Sequence, residues 1–429
     1  MLPIIDKNKQ NDLLTKLLNR SQFDDQELNI RVESIVNDVK QNKDQALKMY
    51  TKKFDSVDLE TFLVSEKEIK LAMETIDAFL LKDLKKAAEN IRLYHEKQLF
   101  LPFEMNQGND IIIQQIVKPI ERVGIYIPGG TAAYPSTVLM NAIPAKIAGV
   151  KKLVMVTPPN TLGQIKPSIL VAARLAGVDE IYKVGGAQAV AALAYGTESI
   201  PRVDLIVGPG NIYVALAKKL VSGYVGIDMI AGPTEVLIIA DQDANPNYIA
   251  ADLLAQAEHD MLASSILITT SKDLAKQVNQ AISSQLKSLK RFDIIEKSLI
   301  NFGAIILVDT LEEAIIISNQ IAPEHLEILT SNPFELVPKI ENAGSIFLGE
   351  YTPEPVGDYF AGPNHTLPTS GTSRFSSPLS TNTFQKKTSI VYYSEKALLN
   401  AKDSIVRLAN EEGLDGHANS ISIRFKESL

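Results

Sequence analysis

The chain of 429 residues contains no cysteine, which excludes disulfides, thiolate zinc cages, iron–sulfur clusters and a cysteine nucleophile. Any metal must therefore rest on nitrogen and oxygen ligands. Histidine is scarce as well, with five residues in all, so the surroundings of each one are informative. No apolar run reaches the ~18 residues needed to span a bilayer. The first residues, MLPIIDKNKQNDLLTKLL, mix acids, amides and lysines where a secretory signal needs a continuous apolar stretch. Positive charge is in deficit: 43 Lys and Arg against 51 Asp and Glu leave −8, a balance that repels phosphate backbones and anionic lipid. The expectation is a cytoplasmic protein with neither nucleic acid nor membrane as partner.

What is present is ordinary for a folded, water-soluble protein: 45% apolar and 22% charged residues, in a chain long enough for two or three domains. Glycine is absent from about 10 to 100, where apolar residues recur at helical spacing, as in Leu13, Leu14, Leu17, Leu18 and later Ile69, Met73, Ile76 and Leu80. This predicts a helical arm followed by a helical region with solvated outer faces. From about 121 short apolar runs alternate with helix-like stretches: RVGIYI, KKLVMV, EIYKV and VDLIV, then EVLIIA, SSILITT, GAIILVD, HLEILT and SIFLG. That alternation predicts βαβ units on parallel sheets, in two α/β layers of similar size. Between Glu350 and Thr383 proline and glycine punctuate a long loop, and loops of that length are functional or disordered. A strand at TSIVYY and a helical tail over 395–421 then predict a small C-terminal domain.

Four of the five histidines lie beside acids or amides in polar or glycine-rich sequence. In NPNYIAADLLAQAEHDM, Asn245 caps a helix that has Pro246 at its first position. Gln256 and His259 are then three apart on one face, where they could meet one cation or form a satisfied surface pair. In IAPEHLEILT, Pro323 biases Ala322 toward an extended conformation, and Glu324 and His325 can serve one site only from the turn before the strand. Histidine is a good general base at neutral pH, and the adjacent carboxylate could activate water; a loop histidine paired with its own neighbour is the plainer alternative. Asp358 and His365 in GDYFAGPNHTLPTSG, and Glu412 and His417 in EEGLDGHANS, have ordinary turn chemistry as their alternative. IPGG (127–130), VGGAQA (184–189) and GPGN (208–211) end strands before helices, where glycine lets backbone approach a pyrophosphate. None matches G-x-G-x-x-G, and tight βα turns without a ligand explain them equally well.

Taken together, RVGIYIPGG, PSTVLMNAIPAKIAGV, VGGAQAVAALAYGTESIP, VDLIVGPGN, GIDMIAGPTEVLIIAD, LLAQAEHD, APEHLEI, GDYFAGPNHTLPT and EGLDGH closely resemble the histidinol dehydrogenase family, in its order and spacing, from about residue 20 to 425. The resemblance implies an α/β fold with two Rossmann-like parallel-sheet domains, a helical N-terminal arm and a small C-terminal domain, in an intertwined homodimer. Its boundaries fall at 1–20 for the arm, 21–120 with 233–375 for the first α/β domain, 121–232 for the second and 380–429 for the C-terminal domain. It implies oxidation of L-histidinol through the aldehyde to L-histidine, the last steps of histidine biosynthesis, with two NAD⁺ reduced. One zinc ion per subunit would be held by Gln256, His259, Asp358 and His417. Glu324 and His325 would be the acid/base pair, His325 taking the hydroxyl proton and Glu324 activating water. Substrate contacts would come from Thr234, Gln256, His259, His325, Asp358, His365, Glu412 and His417, and NAD contacts from Tyr126, Gln188 and Asn211. Thr234 stands where the family's AGPSE motif usually has serine, so the hydroxyl survives with an added methyl. His417 and Glu412 would be supplied across the dimer. His95 receives no role and reads as structural or surface. Two other classes compete: a metal-assisted hydrolase using the same zinc, Glu324 and His325, and a non-catalytic metal-binding dimer.

Overall fold

The computed structural model describes residues 2–6, 26–106, 110–129 and 133–425. Leu13, Leu14, Leu17 and Leu18 of the expected helical arm, and Gly130 of the IPGG turn, lie outside the described residues. Within the span expected for the arm, Ile4–Asp6 is a strand that pairs in parallel with Gly303–Leu307. It covers a sheet edge that would otherwise leave backbone groups open. Among the described residues no helix is long and apolar enough to cross a membrane.

The chain divides into two compact units, Met1–Gln98 with Ile120–Phe384, and Leu99–Pro119 with Gln385–Leu429. The first unit holds two parallel sheets. One runs in the order Glu180–Lys183, Lys152–Thr157, Arg122–Tyr126, Leu205–Val207, Gly226–Ile227. The other runs Ile4–Asp6, Gly303–Leu307, Ser264–Thr269, Glu235–Ala240, His325–Leu329, Ser345–Leu348. Apart from Ile4–Asp6 and Gly226–Ile227, these are the segments that the alternating apolar runs predict. Their central strands are apolar at nearly every position because helices cover both faces, as parallel sheets require. Alternate residues enter opposite cores: Val123, Ile125, Leu153 and Met155 pack on one side of the first sheet, Tyr126, Val154, Val156 and Ile206 on the other. Val236, Ile238 and Leu267 face one side of the second sheet, and Leu237, Ile239 and Ile266 face the other.

The helices over 26–96 belong to the first sheet's cores: Val32, Val36 and Leu47 from Gln26–Asp55 on one face, Leu84, Ala87 and Ile91 from Ala78–Glu96 on the other. His95, at the end of the latter helix, is wholly buried. Its Nδ1 lies 2.8 Å from the Ile91 carbonyl, so that nitrogen carries the proton and Nε2 accepts from Asn364 Nδ2 at 3.3 Å. His95 is therefore structural, a buried post under the loop that carries His365.

In each sheet the chain leaves a strand in one direction and later returns to its other side. In the first sheet that switch falls between Arg122–Tyr126 and Leu205–Val207, and their carboxyl ends run into Ile127–Gly129 and Gly208–Asn211, the crevice where open α/β sheets bind ligands. The switch of the second sheet falls between Glu235–Ala240 and His325–Leu329.

The second unit is a three-stranded antiparallel sheet, Gln385–Tyr393, Ile111–Pro119, Phe103–Asn106, with helices Glu395–Glu411 and Asp415–Ser422. Glu412 lies at the C-cap of the first of these helices, and His417 lies within the second.

Candidate active site

A cavity of about 690 Å³ in the first unit runs from the glycine turns of one sheet to the amino ends of the central strands of the other. At its first end are Pro128, Gly129 and the Gly208–Asn211 turn. Gly208 has φ +108°, and a Cβ there would lie 2.2 Å from the Tyr126 carbonyl oxygen, so only glycine fits this close backbone crossing. The turn is also held by a buried ion pair. Lys218 Nζ donates to the Gly208 carbonyl at 3.0 Å and to Asp228, and Asp228 accepts from the Gly208 N–H at 2.8 Å. Asn211 caps the following helix, accepting from the Tyr213 and Val214 N–H groups, and lines the cavity. Tyr126 and Gln188 are buried and are not among the residues lining the cavity; the Tyr126 hydroxyl accepts from the Gly186 N–H at 3.0 Å.

At the other end, Thr234, Glu324, His325, His259, Asp358 and His365 line the same cavity. Glu324 directly precedes the strand that His325 begins, so both reach the cavity from the turn, as the adjacent positions demand. The means differs from the expectation for Ala322. It is left-handed, φ 53° and ψ 63°, not extended. The steric bias of Pro323 is overridden by tertiary hydrogen bonds on each side: Ser373 Oγ donates to the Ala322 carbonyl at 2.9 Å, and Gly344 N–H donates to Pro323 O at 2.9 Å.

Glu324 is 6% exposed and accepts on Oε2 from Thr234 Oγ1 at 2.5 Å and from Glu235 N–H at 2.9 Å. Burial, reinforced by the charges of Glu235 and Asp358, pushes its pKa well above the usual carboxylate range against those hydrogen bonds. His325, 2% exposed, has Nδ1 at 3.0 Å from the Glu235 carbonyl oxygen. A carbonyl only accepts, so Nδ1 carries the proton and Nε2 has the lone pair. That Nε2 is buried with no hydrogen-bond partner, 3.8 Å from Glu354 Oε1 and from Asp358 Oδ1. Burial lowers the pKa of His325, offset in part by Asp358, so the ring is neutral at pH 7 and its free nitrogen is a base.

Gln256 is wholly buried at the end of Pro246–Ala257, whose Asn245 cap and Pro246 are as predicted. Its amide nitrogen faces Glu354 at 2.8 and 2.6 Å, and its oxygen faces Glu235 N–H and Thr234 Oγ1 at 2.7 and 2.6 Å; the reverse orientation would set oxygen against two carboxylate oxygens. His259 falls just beyond the helix, after the Glu258 C-cap, and a turn rather than a shared helical face relates it to Gln256. Burial lowers its pKa while Asp358 raises it. His365 directs Nδ1 to the Asp358 carbonyl at 3.0 Å. Glu412 and His417 belong to the second compact unit.

The expected long loop is built from short helical turns, Glu354–Val356 and Gly357–Ala361. It supplies one residue the sequence reading missed. Glu354, 5% exposed, meets Gln256 through its carboxylate, and its backbone N–H donates to Glu327 Oε1 at 2.9 Å. Glu327 shares the hydrogen bond of Asp252, whose pKa burial pushes up to about 6. The available signal was Glu327 itself, a carboxylate flanked by Leu326 and Ile328 inside a buried strand. Ligand atoms of His325, Glu354 and Asp358 lie within 4.8 Å of one another, a possible His/Glu/Asp metal site that shares Asp358 with the expected zinc set.

Gly344 bears directly on Glu324, since a Cβ there would lie 2.5 Å from the Glu324 carbonyl oxygen. Gly344→Ala must move that backbone. A displacement of ~1 Å at a reacting group costs ~10²-fold in rate, so kcat is expected to fall by that factor in steady-state assays; an unchanged kcat would show that Glu324 need not be held there.

A family model described as histidinol dehydrogenase matches residues 18–425. This chain belongs to the histidinol dehydrogenase family. It is 58% identical over 395 residues to the histidinol dehydrogenase of Clostridium acetobutylicum, covering 92% of each chain. It is 55% identical over 429 residues to that of Caldanaerobacter subterraneus, covering 99% of each. The crystal structure of histidinol dehydrogenase from Elizabethkingia anophelis superposes with a TM-score of 0.93 at 40% identity, over 99% of this chain and 98% of that one. The mixed α/β fold with parallel sheets is thus the fold of the histidinol dehydrogenase family, and the chain is an oxidoreductase of that family.

Proposed function

We propose that the cavity oxidises L-histidinol to L-histidine in two steps, each delivering a hydride to NAD⁺. The observation that carries this reading is the state of His325: Nδ1–H tied to the Glu235 carbonyl, Nε2 free, buried and aimed into a cavity whose far end is a sheet switch point lined by glycine turns. In the first oxidation His325 Nε2 takes the hydroxyl proton as hydride leaves the carbinol carbon. Glu324 then accepts a proton from the water that adds to the aldehyde. In the second oxidation His325 takes a hydroxyl proton of the hydrate as hydride leaves the same carbon, giving the acid. Each positioned base is worth ~10²- to 10⁴-fold. Thr234 holds Glu324 by its hydroxyl; burial first, and the charges of Glu235 and Asp358 after it, raise the Glu324 pKa, and a cation held nearby would offset the part due to those charges. Asn211 and the Gly208 turn contact the dinucleotide, with Tyr126 and Gln188 shaping the wall behind.

The donor set fits a metal: carboxylates crowd around His259 and His325 with no thiol present. Gln256, His259, Asp358 and the partner subunit's His417 would hold one zinc ion, leaving His325 Nε2 as the base. The metal would supply a fixed anchor for the imidazole and amine of the substrate. The partner subunit's Glu412 would complete the imidazole contacts, with His365 beside Asp358, in an intertwined homodimer working in the cytoplasm.

Metal analysis with turnover at 340 nm tests the reading. One divalent ion per subunit is expected, with activity on histidinol lost on chelation and regained with Zn²⁺. Full-rate turnover by metal-free protein would remove the metal from the account, and a flat absorbance in the metal-loaded protein would favour a hydrolase.

A further inference from the structure

Arg291 lies in the turn before helix Phe292–Phe302 and lines both the main cavity and a neighbouring one of about 390 Å³. The two cavities meet at His259, Tyr134, Ser136 and Tyr359. The side chain is half-buried, and its charge is felt at His259. Among the described residues it has neither a hydrogen-bond nor an ion-pair partner for its guanidinium, although Glu258, Asp260 and Asp358 line the same walls. A half-buried guanidinium on a cavity wall keeps donors available to a ligand that enters. Its planar fork can donate two parallel hydrogen bonds to a carboxylate.

The proposed reaction creates that group. The substrate enters with an uncharged alcohol at the reacting carbon. In the second oxidation the C–H bond of the hydrate breaks, its hydride reduces NAD⁺, one hydroxyl proton goes to His325, and the resulting acid loses its remaining proton to solvent as a carboxylate. Asp260 and Asp358 on the cavity wall disfavour such an anion where no cation faces it. Of the two unvarying cations on its wall, Lys219 lies on the helix that follows the Gly208–Asn211 turn, and Arg291 lies beside His259. We propose that Arg291 is the anion-binding group of the active site and receives the carboxylate formed on the amino-acid product. This assignment rests on the proposed oxidation of histidinol.

The test uses metal-loaded protein and measures binding of L-histidine and of L-histidinol by calorimetry, with KM for NAD⁺ alongside, in wild type, Arg291→Gln and Arg291→Lys. Loss of a charge-assisted bidentate contact is expected to weaken L-histidine by about tenfold or more in Arg291→Gln. Arg291→Lys should recover part of that loss, while L-histidinol affinity and KM for NAD⁺ stay within about threefold of wild type. Equal weakening of histidine and histidinol, or no change in either, overturns the assignment. A rise confined to KM for NAD⁺ also overturns it and makes the dinucleotide diphosphate the anion bound. Wild-type protein that binds neither histidine nor histidinol refutes the proposed function itself, an outcome distinct from the others. Melting curves of Arg291→Lys and Arg291→Gln that match wild type separate a binding defect from a folding one.

Discussion

His325→Asn is expected to lower kcat by about 10²- to 10⁴-fold while histidinol binding stays within about tenfold. The asparagine amide can still donate to the Glu235 carbonyl in place of Nδ1–H, so the local hydrogen bond survives. What disappears is the lone pair of Nε2, a buried ring nitrogen without a hydrogen-bond partner among the described residues. The pH profile carries the same signature. Because burial lowers the His325 pKa, the neutral, basic form persists as pH falls through the ordinary imidazole value of ~6.5. The acid limb of kcat/KM therefore lies below that value, and the variant lacks it. A variant that keeps the wild-type rate would take His325 out of the chemistry.

Glu324→Gln separates the two oxidations. Gln at this position can still accept from Thr234 Oγ1 and Glu235 N–H through its amide oxygen, so the turn keeps its shape. It cannot take a proton from water. Oxidation of the aldehyde is expected to fall by about 10²- to 10⁴-fold, and single-turnover oxidation of the alcohol by no more than about tenfold. Equal losses in the two halves would contradict a role in water activation and leave Glu324 as a general electrostatic element of the site.

Much of this architecture is readable from residue order because its causes are local. EVLIIA and HLEILT are nearly continuous apolar runs since helices cover both faces of the sheet, and Asn245–Pro246 announces a helix start by capping chemistry alone. The Ala322 conformation is only partly local. A pre-proline residue taken by itself reads as extended; here Ala322 closes the preceding helix, its N–H donating to the Ser318 carbonyl at 2.7 Å, and Ser373 and Gly344 from distant segments bond to the carbonyls of Ala322 and Pro323. The site shows the same division. Glu324 and His325 are adjacent in sequence, and the turn alone brings both to one cavity. Glu354 was hidden between Pro353 and Pro355 in a stretch whose punctuation signals a loop, and its burial depends on Gln256 and Glu327 meeting it from other elements. Arg291 likewise carries no motif; that its guanidinium has no partner among the described residues is a three-dimensional fact.

The central claim is that one cavity, with His325 as its base, takes a single carbon from alcohol to acid. Counting NADH at exhaustion of a limiting amount of L-histidinol tests it most directly. The account predicts two NADH for each histidinol consumed, with L-histidine as the product. One NADH with accumulating aldehyde, or none, would contradict it.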